Sequence, residues 1–476
     1  MAPELGDLAA ALPPDVNQES PLTVAALHDL LGKLAQRPVP TGRITRLWAL
    51  GSLEAKVAAG YLACWIRSAY ATRDEKERQF NEAHLKAALK LLGGMGYLRG
   101  AIMKVGQILA THPDVVPEQF ADVLGRLHFE APPMHFALLR EFVRGELGAD
   151  PEDVFDDFET QAFAAASLGQ VHRARIRGSG QRVAVKIQYP NIGRAIRDDF
   201  SNMLTFLMPL RLSGDWENLR EQFDDVRDML TRETDYSQES ENLRIARSAF
   251  TEDDGIVVPR VFPEVSTPRV LTMELLEGPH LDEFLATGPA QQLRDHFGHK
   301  ICVAMLRLDH AKSLVYADPQ PGNFMFMPDG QLGFIDFGCC RHESEEDNAL
   351  WAEGERAYFE SRESLYESIA RLSDLTPKQA ADKERMEAMA RFSDWAWEPV
   401  IHEGPFDFGR PEYFRRGVEV YTALLRRRYT RSRPANTWMI KAIYGLRAML
   451  TRLEARVDVG TVYRTERKRG PRYRES

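Results

Sequence analysis

Apolar positions along this chain recur at two different periods, and the changes of period divide it. Residues 1–40 carry Ala- and Pro-rich stretches (ALPPDVNQESP, RPVPTG) and are expected to form a flexible lead-in with one short helix near 24–35. Leu47, Leu50, Leu53, Val57 and Leu62 recur at helical spacing, and Leu85, Leu89, Leu92, Tyr97 and Met103 resume the stripe after a charged run, DEKERQF. Further helices are predicted over 118–127 and over 134–147, the second bounded by Pro132-Pro133 and Gly148. From Phe155 to Lys186 the sequence turns strand-like, with a turn at Gly178-Ser179-Gly180. Helical pattern returns over 190–229, and residues 257–277 alternate as two strands about a turn at Ser266-Thr267-Pro268. From Leu281 helices dominate, near 349–372, 377–392 and 413–428, with the stretch 316–338 as the exception. Met439, Ile443, Leu446, Leu450 and Leu453 form a last helical stripe, expected to pack in the core, with a partner or membrane face as the alternative.

Composition bounds the classes. An apolar fraction of 44% beside 28% charged residues is that of a soluble globular protein, and 476 residues leave room for one large fold with additions. A net charge of −9 argues against nucleic acid as a partner. Cys64, Cys302, Cys339 and Cys340 lack metal-ligand spacing, and two are neighbours, so buried thiols in a reducing cytosol are expected. The N-terminus has no basic n-region, and the most apolar segment, VAAGYLACWI at 57–66, is too short to span a bilayer. A cytoplasmic chain without a transmembrane helix is the expectation. Residues 464–474 carry six basic residues against one glutamate and read as a disordered tail, or as a contact to anionic headgroups worth about 1 kcal/mol per basic residue.

The chemistry is concentrated in YADPQPGNFMFMPDGQLGFIDFG, residues 316–338. Asp318 is followed five residues later by Asn323, and Asp336-Phe337-Gly338 lies beyond a hairpin turn at Pro328-Asp329-Gly330. This is the layout of a protein-kinase catalytic loop and metal loop. Mg²⁺ requires hard oxygen ligands, which Asn323 and Asp336 supply, and Asp318 stands where a carboxylate would orient an attacking hydroxyl or water. An Asp-Phe-Gly alone says little. Upstream, however, Ala164-Ala165-Ala166-Ser167-Leu168-Gly169-Gln170 precedes a strand, a turn and Val183-Ala184-Val185-Lys186, in which a lysine closes an apolar run, the pattern that brings an ammonium to nucleotide phosphates.

With Lys104-Val105-Gly106-Gln107 and Glu233-Thr234-Asp235, these elements resemble the UbiB/AarF family of atypical protein-kinase-like proteins, linked to isoprenoid-quinone (ubiquinone) biosynthesis, over residues 45–455. The resemblance implies an α+β, protein-kinase-like two-lobe fold with a helical extension before it and helices after it. The expected divisions are a lead-in (1–40), the extension (41–150), a small lobe with a helical insert (151–280), a helical lobe (281–400), C-terminal helices (401–460) and a basic tail (461–476). It implies that Lys186 pairs with Glu239, that Ala164, Ala165, Ala166 and Ser167 replace a glycine-rich phosphate loop, and that Glu274 and Leu276 form a hinge at the adenine edge. Lys104 and Gln107 would lie on a helix over the cleft, Lys104 facing Glu233 and Asp235, where a peptide substrate would otherwise sit.

The family's usual His-Ala-Asp-Pro-His-Pro-Gly-Asn here has Tyr316 and Gln320 in place of its histidines, which puts any mechanism needing an imidazole in doubt. The expected function is Mg²⁺-dependent ATP or ADP binding, with ATPase or small-molecule or lipid kinase activity in quinone or lipid metabolism. Lipid or quinone-precursor ligands, biosynthetic enzyme partners and peripheral membrane contact would follow. A nucleotide-switched scaffold is the alternative; a true protein kinase is disfavoured by Lys104 and the alanine loop.

Overall fold

The computed structural model describes residues 136–166, 168–190, 192–193, 231, 234–427, 429 and 433–470, all within one compact unit, residues 100–476. Lys104, Gln107, Ser167 and Glu233, the lead-in, the extension before residue 136 and most of the 190–229 insert lie outside the described residues. Helix α1 (Phe136–Leu147) stops at Gly148, whose φ of +75° suits glycine, as the sequence predicts. A one-turn helix α2 (Pro151–Val154) leads into the sheet.

That sheet is antiparallel in the order β1 (Phe155–Asp156), β3 (Gly169–Ile176), β4 (Arg182–Gln188), β6 (Val270–Glu274), with β2 (Ala164–Ala166) also paired to β3. Ala174, Ile176, Val183, Val185, Ile187, Phe262 and Val270 bury one face against Leu139 and Val143 of α1. Helix α3 (Tyr236–Arg247) belongs to a larger core with Leu271 and Met273 of β6. The expected strand pair over 257–277 is reduced. β5 (Ile256–Val257) runs parallel to β9 (Leu332–Phe334), and Phe262 N donates to Thr272 O (2.9 Å) beside β6.

Beyond α4 (Leu281–Ala286), the long α5 (Gln291–Lys312) is the axis of the helical half. It ends at Ser313 in the left-handed region and delivers β7 (Leu314–Tyr316). β8 (Phe324–Phe326) and β9 form the hairpin expected from Asp329-Gly330, with Gly330 at φ +82°, and β10 (Cys340–His342) pairs with β7. Two sequence-predicted helices are corrected. The segment near 349–372 is α6 (Glu345–Glu360) and α7 (Arg362–Leu372), broken where Ser361 turns extended and its hydroxyl accepts from Ser364 N as an N-cap. The segment near 377–392 is α8 (Pro377–Ala380) and α9 (Lys383–Ile401), which continues through Pro399.

Helices α10 (Pro411–Arg426) and α11 (Pro434–Leu453) follow. The last stripe is core, as expected: Leu446, Leu450 and Leu453 are buried. The disordered tail is also corrected. Val459–Arg467 forms α12, capped by Asp458, whose side chain accepts from Thr461 N. Glu466, the single acid in that basic stretch, is buried and makes a bidentate pair with the buried Arg307 of α5 (2.8 and 2.9 Å). Arg307 also reaches Asp254 at 2.7 Å. A carboxylate paired this way offsets the cost of its desolvation and fixes the helix.

Candidate functional site

Lys186 lies in β4 between β3 and β6, opposite Val171 and Leu271, so the strand carrying it is paired on both edges. The side chain is buried, and Nζ donates to Glu239 Oε1 and Oε2 (2.7 and 2.8 Å) and to Asp336 Oδ2 (3.1 Å). The Tyr236 ring centroid lies 5.2 Å from the ammonium. Burial alone would pull the lysine pKa down, but the carboxylates of Asp336 and Glu239 override it and hold the value above the ordinary lysine range. Lys186 is held in its charged form.

Glu239 sits in the first turn of α3, where the helix dipole favours an anion. Asp235 is the N-cap of that helix, its Oδ1 accepting from Ser237 N at 2.9 Å.

Strands β7 and β10 bring the two acidic loops side by side. Tyr316 faces Cys340 across the ladder, and Ala317 N donates to Cys339 O (3.1 Å). Ile335 N donates to Asn323 O (3.1 Å), setting Asp336 one residue from the Asn323 backbone. Asn323 is buried, and its Nδ2 donates to Tyr316 Oη and to the Asp318 carbonyl, both at 2.8 Å. With both amide hydrogens spent, Oδ1 points the other way, the orientation a metal ligand needs. Gln320 Nε2 donates to Asp318 Oδ2 (3.1 Å), so a neutral amide meets the carboxylate where the family has an imidazole. Phe337 is fully buried, its ring 4.5 Å from Phe334 and 5.5 Å from Tyr316, and Gly338 N donates to Asp336 Oδ1 (3.0 Å). Asp336 itself keeps 37% of its side chain exposed.

Ala164, Ala165 and Ala166 form β2, registered on Val171, Gln170 and Gly169. The alanine stretch is thus strand rather than open loop. Leu168 is buried and its carbonyl accepts from Tyr189 N (2.9 Å), while a Cβ on Gly169 would stand 2.2 Å from Ile187 O, so only glycine lets β3 approach β4 there. Glu274 closes β6; its N donates to Arg260 O (2.8 Å), and Leu275 N donates to Arg182 O (3.2 Å). Leu276 follows, its side chain near Gly333. The chain then docks on β8 through His280 Nδ1 to Phe324 O (2.9 Å).

Among the described residues no group of three or more His, Cys, Asp or Glu side chains is arranged as a metal site. The groups that could hold a hard divalent ion, completed by phosphate oxygens, are the half-exposed Asp336 carboxylate and the oriented Asn323 amide. Sequence reading missed Asn242, on the same face of α3 as Glu239, whose Nδ2 donates to Phe337 O at 3.0 Å. No local pattern marks an asparagine within a helix for such a role. Among the described residues, no helix is long and apolar enough to cross a membrane.

Residues 126–361 match the family model described as the ABC1 atypical kinase-like domain. The chain is 32% identical over 269 residues to the chloroplastic Protein ACTIVITY OF BC1 COMPLEX KINASE 1 of Arabidopsis thaliana, covering 56% of this chain and 39% of that relative's length. It is 28% identical over 454 residues to the mitochondrial Atypical kinase COQ8B of Rattus norvegicus, covering 92% and 83%. Among solved structures, the Rv3197–erythromycin complex of Mycobacterium tuberculosis aligns with a TM-score of 0.53 at 26% identity, over 81% of this chain and 97% of that one. The fold is α+β and kinase-like. The chain carries an ABC1 atypical kinase-like domain and, through that domain, belongs to the UbiB family.

Proposed function

We propose that this chain binds Mg-ATP and Mg-ADP at the Lys186–Asp336 contact, which the nucleotide and its metal would open, and turns ATP over slowly as an ATPase or small-molecule or lipid kinase. The observation carrying the reading is the buried Lys186 Nζ, 2.7 Å from Glu239 and 3.1 Å from Asp336. Such a lysine, oriented by one carboxylate and adjoining another, is suited to the phosphates of a nucleotide. Asp336 and Asn323 would hold the divalent cation, which when bound offsets charge on the phosphates. Asp318 would orient the attacking water or hydroxyl and accept its proton, and the backbone at Glu274 and Leu276 would meet the adenine. The sheet with α3 and the helical half would be the small and large lobes. Lys104 and Gln107, with Glu233 and Asp235, would close the cleft against peptides.

The relatives named as COQ8-type atypical kinases are consistent with a role in ubiquinone biosynthesis; lipid homeostasis, quinone-precursor or lipid ligands, partner enzymes and a peripheral membrane contact are further parts of the proposal. Phosphate release from ATP is expected to be Mg²⁺-dependent in the wild type and lost in Asp318→Asn and Asp336→Asn. A second reading, a nucleotide-switched scaffold, is favoured by the Lys186–Asp336 contact, which engages the metal carboxylate. Nucleotide binding with no phosphate release in the presence of lipid or quinone precursors would select it.

A further inference from the structure

Asn242 follows Glu239 by three residues, so both project from one face of α3, Glu239 onto Lys186 and Asn242 onto the Phe337 carbonyl. It is only 5% exposed, and its amide is committed at both ends. The Phe337 carbonyl can only accept, so Nδ2 donates to it (3.0 Å). Oδ1 therefore accepts from His342 Nε2 (2.9 Å), on β10. One side chain thus joins α3 to residues on both sides of Gly338, 95 and 100 positions away.

The joined segment is the turn carrying Asp336. Its Phe337 ring is already fixed among Tyr316 and Phe334, and Asp336 Oδ1 accepts from Gly338 N (3.0 Å). A Cβ on Gly338 would stand 3.5 Å from Glu239 Oε2, so the turn backbone lies directly against the glutamate of α3. Two ties therefore set the distance between α3 and the turn. One runs through Lys186, from Glu239 to Asp336; the other is the Asn242 amide on the Phe337 carbonyl. A nucleotide with its metal would draw on Lys186 and Asp336 and so compete with the first tie. The second involves no group that a nucleotide or metal would contact.

We propose that Asn242 is a positioning residue for the metal-binding carboxylate: its amide clamps the Asp336-Phe337-Gly338 turn to α3, so that Asp336 keeps its place when Lys186 turns to phosphate. The proposal rests on the nucleotide and metal reading of the site. Positioning groups behind metal ligands typically change metal affinity 10- to 100-fold, through the orientation they impose.

The test uses the full chain with Asn242→Asp, which keeps the volume and the acceptor for His342 but sets a carboxylate oxygen against the Phe337 carbonyl. Asn242→Ala, which removes the donor without adding a charge, guards against misfolding of the first variant. Hydrogen exchange of the ligand-free proteins is expected to speed up over residues 334–342 and to stay unchanged in α5 and in the β3–β4 hairpin. The thermal shift with ATP in EDTA is expected to match wild type, while the Mg²⁺ concentration giving the half-maximal further shift rises about tenfold or more. Unchanged exchange at 334–342, or loss of protection spread evenly through the fold, would overturn the clamp; so would an unchanged Mg²⁺ requirement. If wild type itself answers to no nucleotide, the nucleotide reading fails, and the exchange comparison alone still decides whether Asn242 holds the turn.

Discussion

The two walls of the proposed site, one of lysine and one of carboxylates, are built by different means. On the lysine wall, Lys186 and Glu239 keep 8% and 3% of their side chains exposed, and each sits on a regular element, an inner strand and a helix. On the carboxylate wall, Asp318 and Asp336 lie on loops between short strands and the buried Asn323 ends a single 3-10 turn before β8, while Asp336 keeps 37% of its side chain exposed. A buried pair feels weak screening and is costly to break, whereas a carboxylate with one side open to water can take a new partner at lower cost. The lysine wall is therefore set in advance, and the carboxylate wall is where ligands can be exchanged. Its loops owe their shape to side chain–backbone tethers: Asn323 to Asp318 O, Asn242 to Phe337 O and Gly338 N to Asp336.

The sharpest way to break this contrast is to remove one partner from the dry wall. Glu239→Ala strands a buried ammonium beside the remaining Asp336, and an unfolding free energy lower by about 3–5 kcal/mol is expected from denaturant titration. A loss below about 1 kcal/mol would mean that water reaches Lys186 and that the walls are alike.

A smaller effect is expected from Tyr316→Phe. It deletes the hydroxyl that accepts from Asn323 Nδ2 but leaves the Asp318 carbonyl as a second acceptor. The cost should be about 1 kcal/mol, again by denaturant titration. A rise in the Mg²⁺ needed for half-maximal nucleotide stabilisation should accompany it.

The smallest and most selective effect is on pH. His172 is buried in β3; Nδ1 donates to Glu159 O (2.7 Å), so Nε2 is left to accept from Gln170 Nε2 (2.9 Å). Burial lowers its pKa below the ordinary value of about 6.5. The unfolded chain takes up a proton below that value while the folded one resists it, so the stabilisation is complete above pH ~6.5 and is lost as pH falls toward the depressed folded value. Melting temperatures should decline across that window in wild type and decline less in His172→Gln. Equal slopes would show that the histidine does not carry the dependence.

Local rules explain what could be read from the chain. The Asp329-Gly330 turn, the Gly148 stop and the Leu446–Leu450–Leu453 stripe each depend on a few neighbouring residues, and each stands as expected; the apolar run before Lys186 is a strand as expected, but it continues past the lysine to Gln188. Family resemblance pointed to Glu239 as the partner of Lys186, and the geometry agrees. What was misread depends either on partners far away in sequence or on a single residue's conformation. Glu466 looked like a stray acid in a solvated tail because Arg307, its partner, lies 159 residues earlier. Ser361 divides a helix with one extended residue, too local an event for a periodic stripe to register. The three alanines at 164–166 signalled small residues near phosphate, but they form a strand registered on Val171, Gln170 and Gly169. Asn242 carried no local signal, since its purpose depends on a carbonyl 95 residues on.

The central claim, that the two walls together form a nucleotide–metal site, is tested most directly by thermal shift with Mg-ATP and Mg-ADP on wild type, Lys186→Ala and Asp336→Asn. A ligand at about a hundred times its dissociation constant adds roughly 2.7 kcal/mol of stability. The account predicts a shift of that size in wild type, its loss in Lys186→Ala, and in Asp336→Asn only the shift seen without metal. A wild-type protein that nucleotides leave unshifted, or an Asp336→Asn variant as responsive to Mg²⁺ as wild type, would contradict it.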